Sequence, residues 1–126
     1  MTPKPRLKNT TKGAITEEIA HNFLIKKGLT TIDRNYRTSF GEIDLIMNDQ
    51  KTFVFIEVRY RSYDYFGSAT ESITKSKQNR IIKTAQHFIM AHQINNAIRF
   101  DVVAVGPDTS KNTTCHWIKN VFQDCL

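Results

Sequence analysis

The chain lacks any apolar run near the roughly eighteen residues that a membrane-spanning helix needs, which argues against a helical bilayer protein. Its start, Met-Thr-Pro-Lys-Pro-Arg-Leu-Lys, is basic with no apolar stretch behind it, so no export signal is expected. Cysteine is scarce. Cys115 and Cys125 lie near the C-terminus without a Cys-x-x-Cys spacing, and no second pair exists to complete a zinc site. Two free thiols in a reducing cytoplasm are the expectation. Repeats and low-complexity tracts are also missing, which leaves an ordinary globular chain.

What is present fits one domain. At 126 residues the chain is large enough to bury a core and too small for two domains. Formal net charge is +6, and the basic residues cluster. Lys4, Arg6, Lys8 and Lys12 occupy an acid-free tail over residues 1–12, expected to be flexible, ahead of a single domain over 13–126. Lys75, Lys77, Arg80, Lys83 and Arg99 fall in a stretch from Ser72 to Phe100 that has no Asp or Glu. A polyanionic partner is the simplest reason to keep such a surface, although lysine-rich tails and helices also serve solubility alone.

Hydrophobic period places the elements. Ile15, Ile19 and Phe23, widened by Ala20 and Leu24, predict a helix from about Gly13 to Lys27, with Gly28 as its C-terminal cap. A short strand is expected between Leu29 and Arg37. Glu42 to Asn48 alternates, with Ile43, Leu45 and Met47 opposed to Glu42, Asp44 and Ile46. Thr52 to Arg61 sets Val54, Ile56 and Val58 against Phe53, Phe55, Glu57 and Arg59. Ile81, Ile82, Ala85, Phe88 and Ile89 predict a second helix from about Lys75 to His92. Arg99 to Val105 reads as a strand ended by Gly106-Pro107-Asp108, and His116 to Phe122 as a closing strand or turn. The order α-β-β-β-α-β predicts an α/β fold with a mixed sheet of four or five strands flanked by helices.

A hairpin turn centred on Asp49-Gln50 would pair positions whose numbers sum to 99, setting Asp44 opposite Phe55 and Glu42 opposite Glu57. Glu42, Asp44, Glu57 and Arg59 then share one face, with Asp44 diagonal to Glu57 at about 7 Å. Carboxylates so gathered repel, and a divalent cation with hard oxygen ligands, Mg²⁺ above all, removes the conflict. The alternative is a polar edge neutralised by Arg59 and Arg61. His21, His87, His92 and His116 are scattered and are assigned no metal. Asp101 could complete the acidic face, but a salt bridge with a nearby arginine is the expected role. Tyr60, Tyr63, Tyr65 and Phe66, interleaved with Arg59 and Arg61, suit either base stacking or a lid over the core.

Gly41-Glu42-Ile43-Asp44-Leu45-Ile46 followed by Val54-Phe55-Ile56-Glu57-Val58-Arg59-Tyr60-Arg61 resembles the core of the PD-(D/E)XK nucleases. More closely, it resembles the bacterial YraN family of endonuclease-like proteins, related in fold to Holliday-junction resolvases. Arg34-Asn35-Tyr36-Arg37, Lys77-Gln78-Asn79-Arg80, Phe100-Asp101-Val102-Val103 and Ile118-Lys119-Asn120-Val121-Phe122 extend the resemblance over nearly the whole chain.

The resemblance implies a restriction-endonuclease-like core and a Mg²⁺- or Mn²⁺-dependent endonuclease acting on DNA, branched substrates included. By it, Asp44 and Glu57 are the metal ligands, the Val58 carbonyl is a third donor, and Glu17 reaches the site from the first helix. Glu42 would support. Arg61, Lys75, Lys77, Gln78, Arg80 and Lys83 would meet the nucleic acid, and a homodimer is compatible with this reading. One position departs from the pattern. Two residues beyond the glutamate, where the family places lysine, stands Arg59. A guanidinium stays charged and cannot act as a base, so Arg59 is limited to stabilising phosphate charge. Lys75 or Lys77 could instead point into the site and replace the lysine. A binding module that has lost catalysis is the competing expectation, and a role in binding an acidic protein is a third.

Overall fold

A computed structural model of the chain describes residues 12–60, 73–106 and 113–122. The basic tail up to Thr11, Arg61, Tyr63, Tyr65, Phe66, the Pro107-Asp108 end of the fourth strand and Cys125 lie outside the described residues. Helix α1 spans Lys12–Lys26, one residue earlier than the period indicates. Its end is closed as expected: Gly28, at φ +102°, donates its N–H to Ile25 and Leu29 donates to Leu24, a Schellman pair that a residue with a Cβ would strain. Strands β1 (Thr30–Arg37), β2 (Glu42–Asp49) and β3 (Thr52–Tyr60) form an antiparallel meander. Helix α2 (Lys75–Ala91) then crosses over to β4 (Ile98–Val105), which pairs parallel with β3, and β5 (Cys115–Ile118) closes the sheet antiparallel to β4. The result is a five-stranded mixed sheet in sequence order, with a helix against each face. No described helix is long and apolar enough to cross a membrane.

The two faces carry separate cores. Ile81, Ile82, Ala85 and Phe88 of α2 pack on Ile46, Phe55, Phe100 and Phe122, whereas Ala20 and Leu24 of α1 pack on Leu45, Met47, Val54, Ile56 and Val103. Burying each such aliphatic or aromatic side chain contributes about 1.5–3 kcal/mol, so both helices are fixed to the sheet. α2 starts where Thr74 accepts the Lys77 N–H through its hydroxyl at 3.1 Å, a cap worth about 1 kcal/mol. Cys115 is half-buried, and that burial pushes its thiol above the usual range.

Two expectations are corrected. The hairpin pairs Ile46 with Phe55 and Asp49 with Thr52, so its register sums to 101 rather than 99, and the turn is Gln50-Lys51. Both turn residues adopt positive φ, +50° and +82°, the mirror-image turn that matches strand twist. A two-residue displacement leaves the alternation of faces intact but moves Asp44 from diagonal to level with Glu57. The second correction is Ile43, which packs in the α2 core while Leu45 packs in the α1 core. Strict alternation would put both on one face, so β2 reverses its facing across Asp44.

Candidate metal and phosphate site

That reversal builds the site. The β2–β3 ladder stops at Leu45 and Ile56, and beyond it the Asp44 carboxylate, not a backbone carbonyl, accepts the Val58 N–H at 2.8 Å. The strands part around this side-chain bridge. A cleft of about 290 Å³ opens there, lined by Gly13, Thr16 and Glu17 of α1, Asp44 of β2, Glu57, Val58, Arg59 and Tyr60 of β3, and Lys77 of α2.

Its floor is acidic. Glu57 is only 6% exposed and follows Ile56, where β3 stops pairing with β2, as Asp44 precedes Leu45 on β2, although β3 stays paired with β4 to Tyr60. Burial pushes the Asp44 carboxyl well above the usual range; the Glu57 charge, and then Glu17 and Glu42, push it the same way, against the Val58 N–H. Glu57 is also raised by burial, against the pull of Lys77 and then Arg59. Lys77 Nζ stands 3.4 Å from Glu57 Oε2, and Arg59 Nη1 stands 3.5 Å from the same oxygen. The remaining acids are set back. Glu17 lines the cleft while its carboxylate accepts the Asn35 side-chain N–H at 3.0 Å, and Glu42 pairs with Arg37 at 3.2 Å.

Asp44, Glu57, Arg59 and Glu17, singled out from sequence, therefore line one cleft, and Lys77 enters it while Lys75 is not among its lining residues. Among the other basic-helix residues, Gln78 donates to the Ile73 carbonyl at 3.0 Å and braces the start of α2. Arg80 reaches Ser76 on its own exposed face, and Lys83 lies on the same helix, its Nζ 5.8 Å from the Phe40 ring centroid. Asn35 escaped notice as a support for Glu17. Its φ of +52°, which asparagine tolerates better than most residues, is invisible in a strand-like stretch.

Asp101 does not join the acidic floor. It is fully buried against Arg99 and also accepts from the Trp117 indole at 2.9 Å and the Asn120 N–H at 2.9 Å, so the salt-bridge expectation holds. The histidines stay apart: His21 meets Thr31, and His87 meets Tyr36. Among the described residues no group of three His, Cys, Asp or Glu side chains converges as a ready metal cage. Asp44 and Glu57 are the two oxygen donors that could hold a Mg²⁺ ion, which keeps several waters and takes only one or two protein carboxylates.

Fold and site together define a mixed α/β domain that sets two carboxylates, one buried and one half-buried, where two neighbouring strands cease to pair, beside the N-terminal turn of a basic helix. The chain belongs to UPF0102, described as an uncharacterised protein family, whose model matches residues 16–105. It is 48% identical over 122 residues to a UPF0102 protein of Psychromonas ingrahamii, covering 95% of this chain and 98% of that one. A UPF0102 protein of Nitrosomonas europaea is 44% identical over 113 residues, 90% of this chain and 94% of the relative. The Vibrio parahaemolyticus relative is 43% identical over 110 residues, 86% and 88% of the two chains.

Proposed function

We propose that this chain is a Mg²⁺- or Mn²⁺-dependent endonuclease of the PD-(D/E)XK type that hydrolyses phosphodiester bonds in DNA. The observation that carries the reading is the pair Asp44 and Glu57: a half-buried and a buried carboxylate side by side, both pushed up first by desolvation, with Lys77 against one of them. Folding would not keep such a pair for stability, because removing one charge relieves a conflict. The fit to a divalent cation rests on that unrelieved negative charge and on hard oxygen donors, which Asp44 and Glu57 would supply. A cation held there supplies positive charge to phosphoryl oxygens and acidifies water.

The chain's own groups do the rest. Lys77 and Arg59 face the same Glu57 oxygen, so they hold the phosphate at the edge of the carboxylate pair. A lysine amine, unlike a guanidinium, can also give up a proton, which makes Lys77 the functional replacement for the lysine that position 59 lacks. Arg59 then stabilises charge without moving a proton. Glu17, braced by Asn35, faces Asp44 from α1 and orients water by accepting its hydrogen bond. Attack in line with the leaving oxygen completes a one-step displacement at phosphorus.

The test is cleavage of supercoiled plasmid, fork and four-way-junction DNA with Mg²⁺ or Mn²⁺, with Asp44→Ala prepared in parallel. Nicking by the wild type and not by the variant is expected. Binding without nicking above the Asp44→Ala background would leave a binding module on a nuclease scaffold, and neither binding nor nicking would remove the nucleic-acid reading altogether.

A further inference from the structure

We propose that Phe40, on the turn between β1 and β2, is a stacking platform for an unpaired nucleobase, so that the cleft prefers DNA containing a single-stranded segment. The inference rests on reading the basic wall of α2 as a phosphate-binding surface and names the kind of DNA that surface receives.

Phe40 leaves 45% of its surface in solvent, whereas Phe55, Phe88, Phe100 and Phe122 are buried in the core. It is not carried on loose backbone. Thr38 donates to the Gly41 carbonyl at 2.8 Å, Gly41 donates back to Thr38 at 3.3 Å, and the Thr38 hydroxyl accepts the Phe40 N–H at 3.0 Å. The turn also sits tightly against α2, since a Cβ at Gly41 would come 3.4 Å from the Arg80 Cβ and 3.5 Å from the Thr84 hydroxyl. An exposed ring on a pinned turn loses little entropy when a flat partner lands on it.

The surroundings say what that partner is. The Lys83 ammonium lies over the ring, 5.8 Å from its centroid, so a flat partner would take the opposite face; Arg80 flanks the turn, and Arg37 leads into it. The neighbouring acid, Glu42, is held by Arg37 at 3.2 Å. A flat ring among three cations fits a base whose two phosphates flank it, the combination that single-strand binders use. Bases in a closed duplex are already stacked and cannot offer a face. Phe40 is four residues before Asp44, two of them ahead of β2, so it stands at most about 13 Å from Asp44 along the chain, or roughly four steps of a stacked nucleic-acid strand.

The test compares wild type, Phe40→Ala, Phe40→Leu and Phe40→Trp on forked DNA and on blunt duplex of equal length, at two salt concentrations, with 2-aminopurine scanned through the unpaired arm. Phe40→Ala and Phe40→Leu should lose roughly 5- to 20-fold in affinity for the fork and less than about twofold for the duplex, the range expected for one stacked base. The salt dependence should not change, because no phosphate contact is lost, and 2-aminopurine quenching at one register should vanish and return with Phe40→Trp. Equal losses on fork and duplex, or none on either, overturn the stacking role. The reading on which it rests fails separately: it falls if the wild type binds neither DNA at low salt. Thermal melting checks each variant's fold, and should Phe40→Ala melt early, the fork-to-duplex ratio of Phe40→Trp decides.

Discussion

Replacing Asp44 by asparagine keeps an oxygen for the Val58 N–H and removes one negative charge from the cleft floor. Facing strand positions stand about 5 Å apart, and at an effective dielectric near 20 two full charges at that distance repel by about 3 kcal/mol. Lys77 and Arg59 already soften this from the Glu57 side, and Lys77 is partly exposed and screened, so a net gain of about 1–2 kcal/mol is expected. That corresponds to a rise in Tm of roughly 3–10 °C for the metal-free protein. The gain depends on pH in a defined sense. Because Asp44 titrates higher in the folded chain than in the unfolded one, the folded state binds its proton more tightly, and wild-type stability rises as pH falls through the raised pKa. The advantage of Asp44→Asn is therefore full above that pKa and gone below about pH 4, the unfolded value. Divalent cation offsets the difference: at tenfold above its Kd, Mg²⁺ adds about 1.4 kcal/mol to the wild type and little to the variant, so the gap should close. Thermal unfolding of both proteins in EDTA and in Mg²⁺, at about pH 5 and about pH 8, reads every quantity. A variant that melts below the wild type throughout would show that no carboxylate conflict exists, and equal Mg²⁺ shifts would remove the metal site.

Lys77→Gln should lower Mn²⁺-supported nicking by about 10²- to 10⁴-fold while DNA affinity falls only a few-fold, and Arg59→Lys should change the rate by less than about tenfold. The opposite ranking in single-turnover assays would return the proton-transfer role to position 59. Neutralising Lys75, Arg80 and Lys83 together should reduce the slope of log K against log salt by roughly 2–3, one unit per lost phosphate contact, in titrations of fork DNA; an unchanged slope would place the phosphates elsewhere. Asp101→Asn should cost about 1–3 kcal/mol, since Arg99 keeps only its 3.0 Å contact with Asp49 and loses its buried partner, yet leave cleavage per folded molecule unchanged. Calorimetry and active-fraction titration separate the two effects.

Features set by local chemistry were legible in the sequence. The apolar stripes gave both helices to within a residue or so, Gly28 marked the end of α1, and the β3 alternation placed Phe55 and Glu57 away from Val54 and Ile56 as found. The hairpin register was not legible, because Gln50-Lys51 lacks the Asn-Gly signature by which a mirror-image turn declares itself. Ile43 was misplaced for a related reason: alternation assumes an unbroken ladder, and Asp44 breaks it with its own carboxylate. Which lysine enters the cleft depends on how α2 is rotated against the sheet, a tertiary quantity that left Lys75 and Lys77 as equals until the helix was seen in place.

The two buried acidic centres explain each other by contrast. Asp101 meets the Arg99 guanidinium at 3.0 Å, the Trp117 indole and the Asn120 N–H, so its charge is matched and its lone pairs are occupied by the protein itself. This is what a structural carboxylate needs, because an unmatched buried charge costs several kcal/mol. Asp44 and Glu57 break that pattern within the same sheet. Among the described residues, Asp44 accepts one backbone N–H, and the two cations near Glu57 stand at 3.4 and 3.5 Å, too far for strong hydrogen bonds. On the proposed reading, a cleft whose two cations both pair with Glu57, while among the described residues no cation pairs with Asp44, suits a metal ion and a phosphate together. On the same reading Mg²⁺ alone recovers part of the stability lost to carboxylate repulsion and also brings positive charge for a phosphate, so Mg²⁺ and DNA should each raise the affinity for the other.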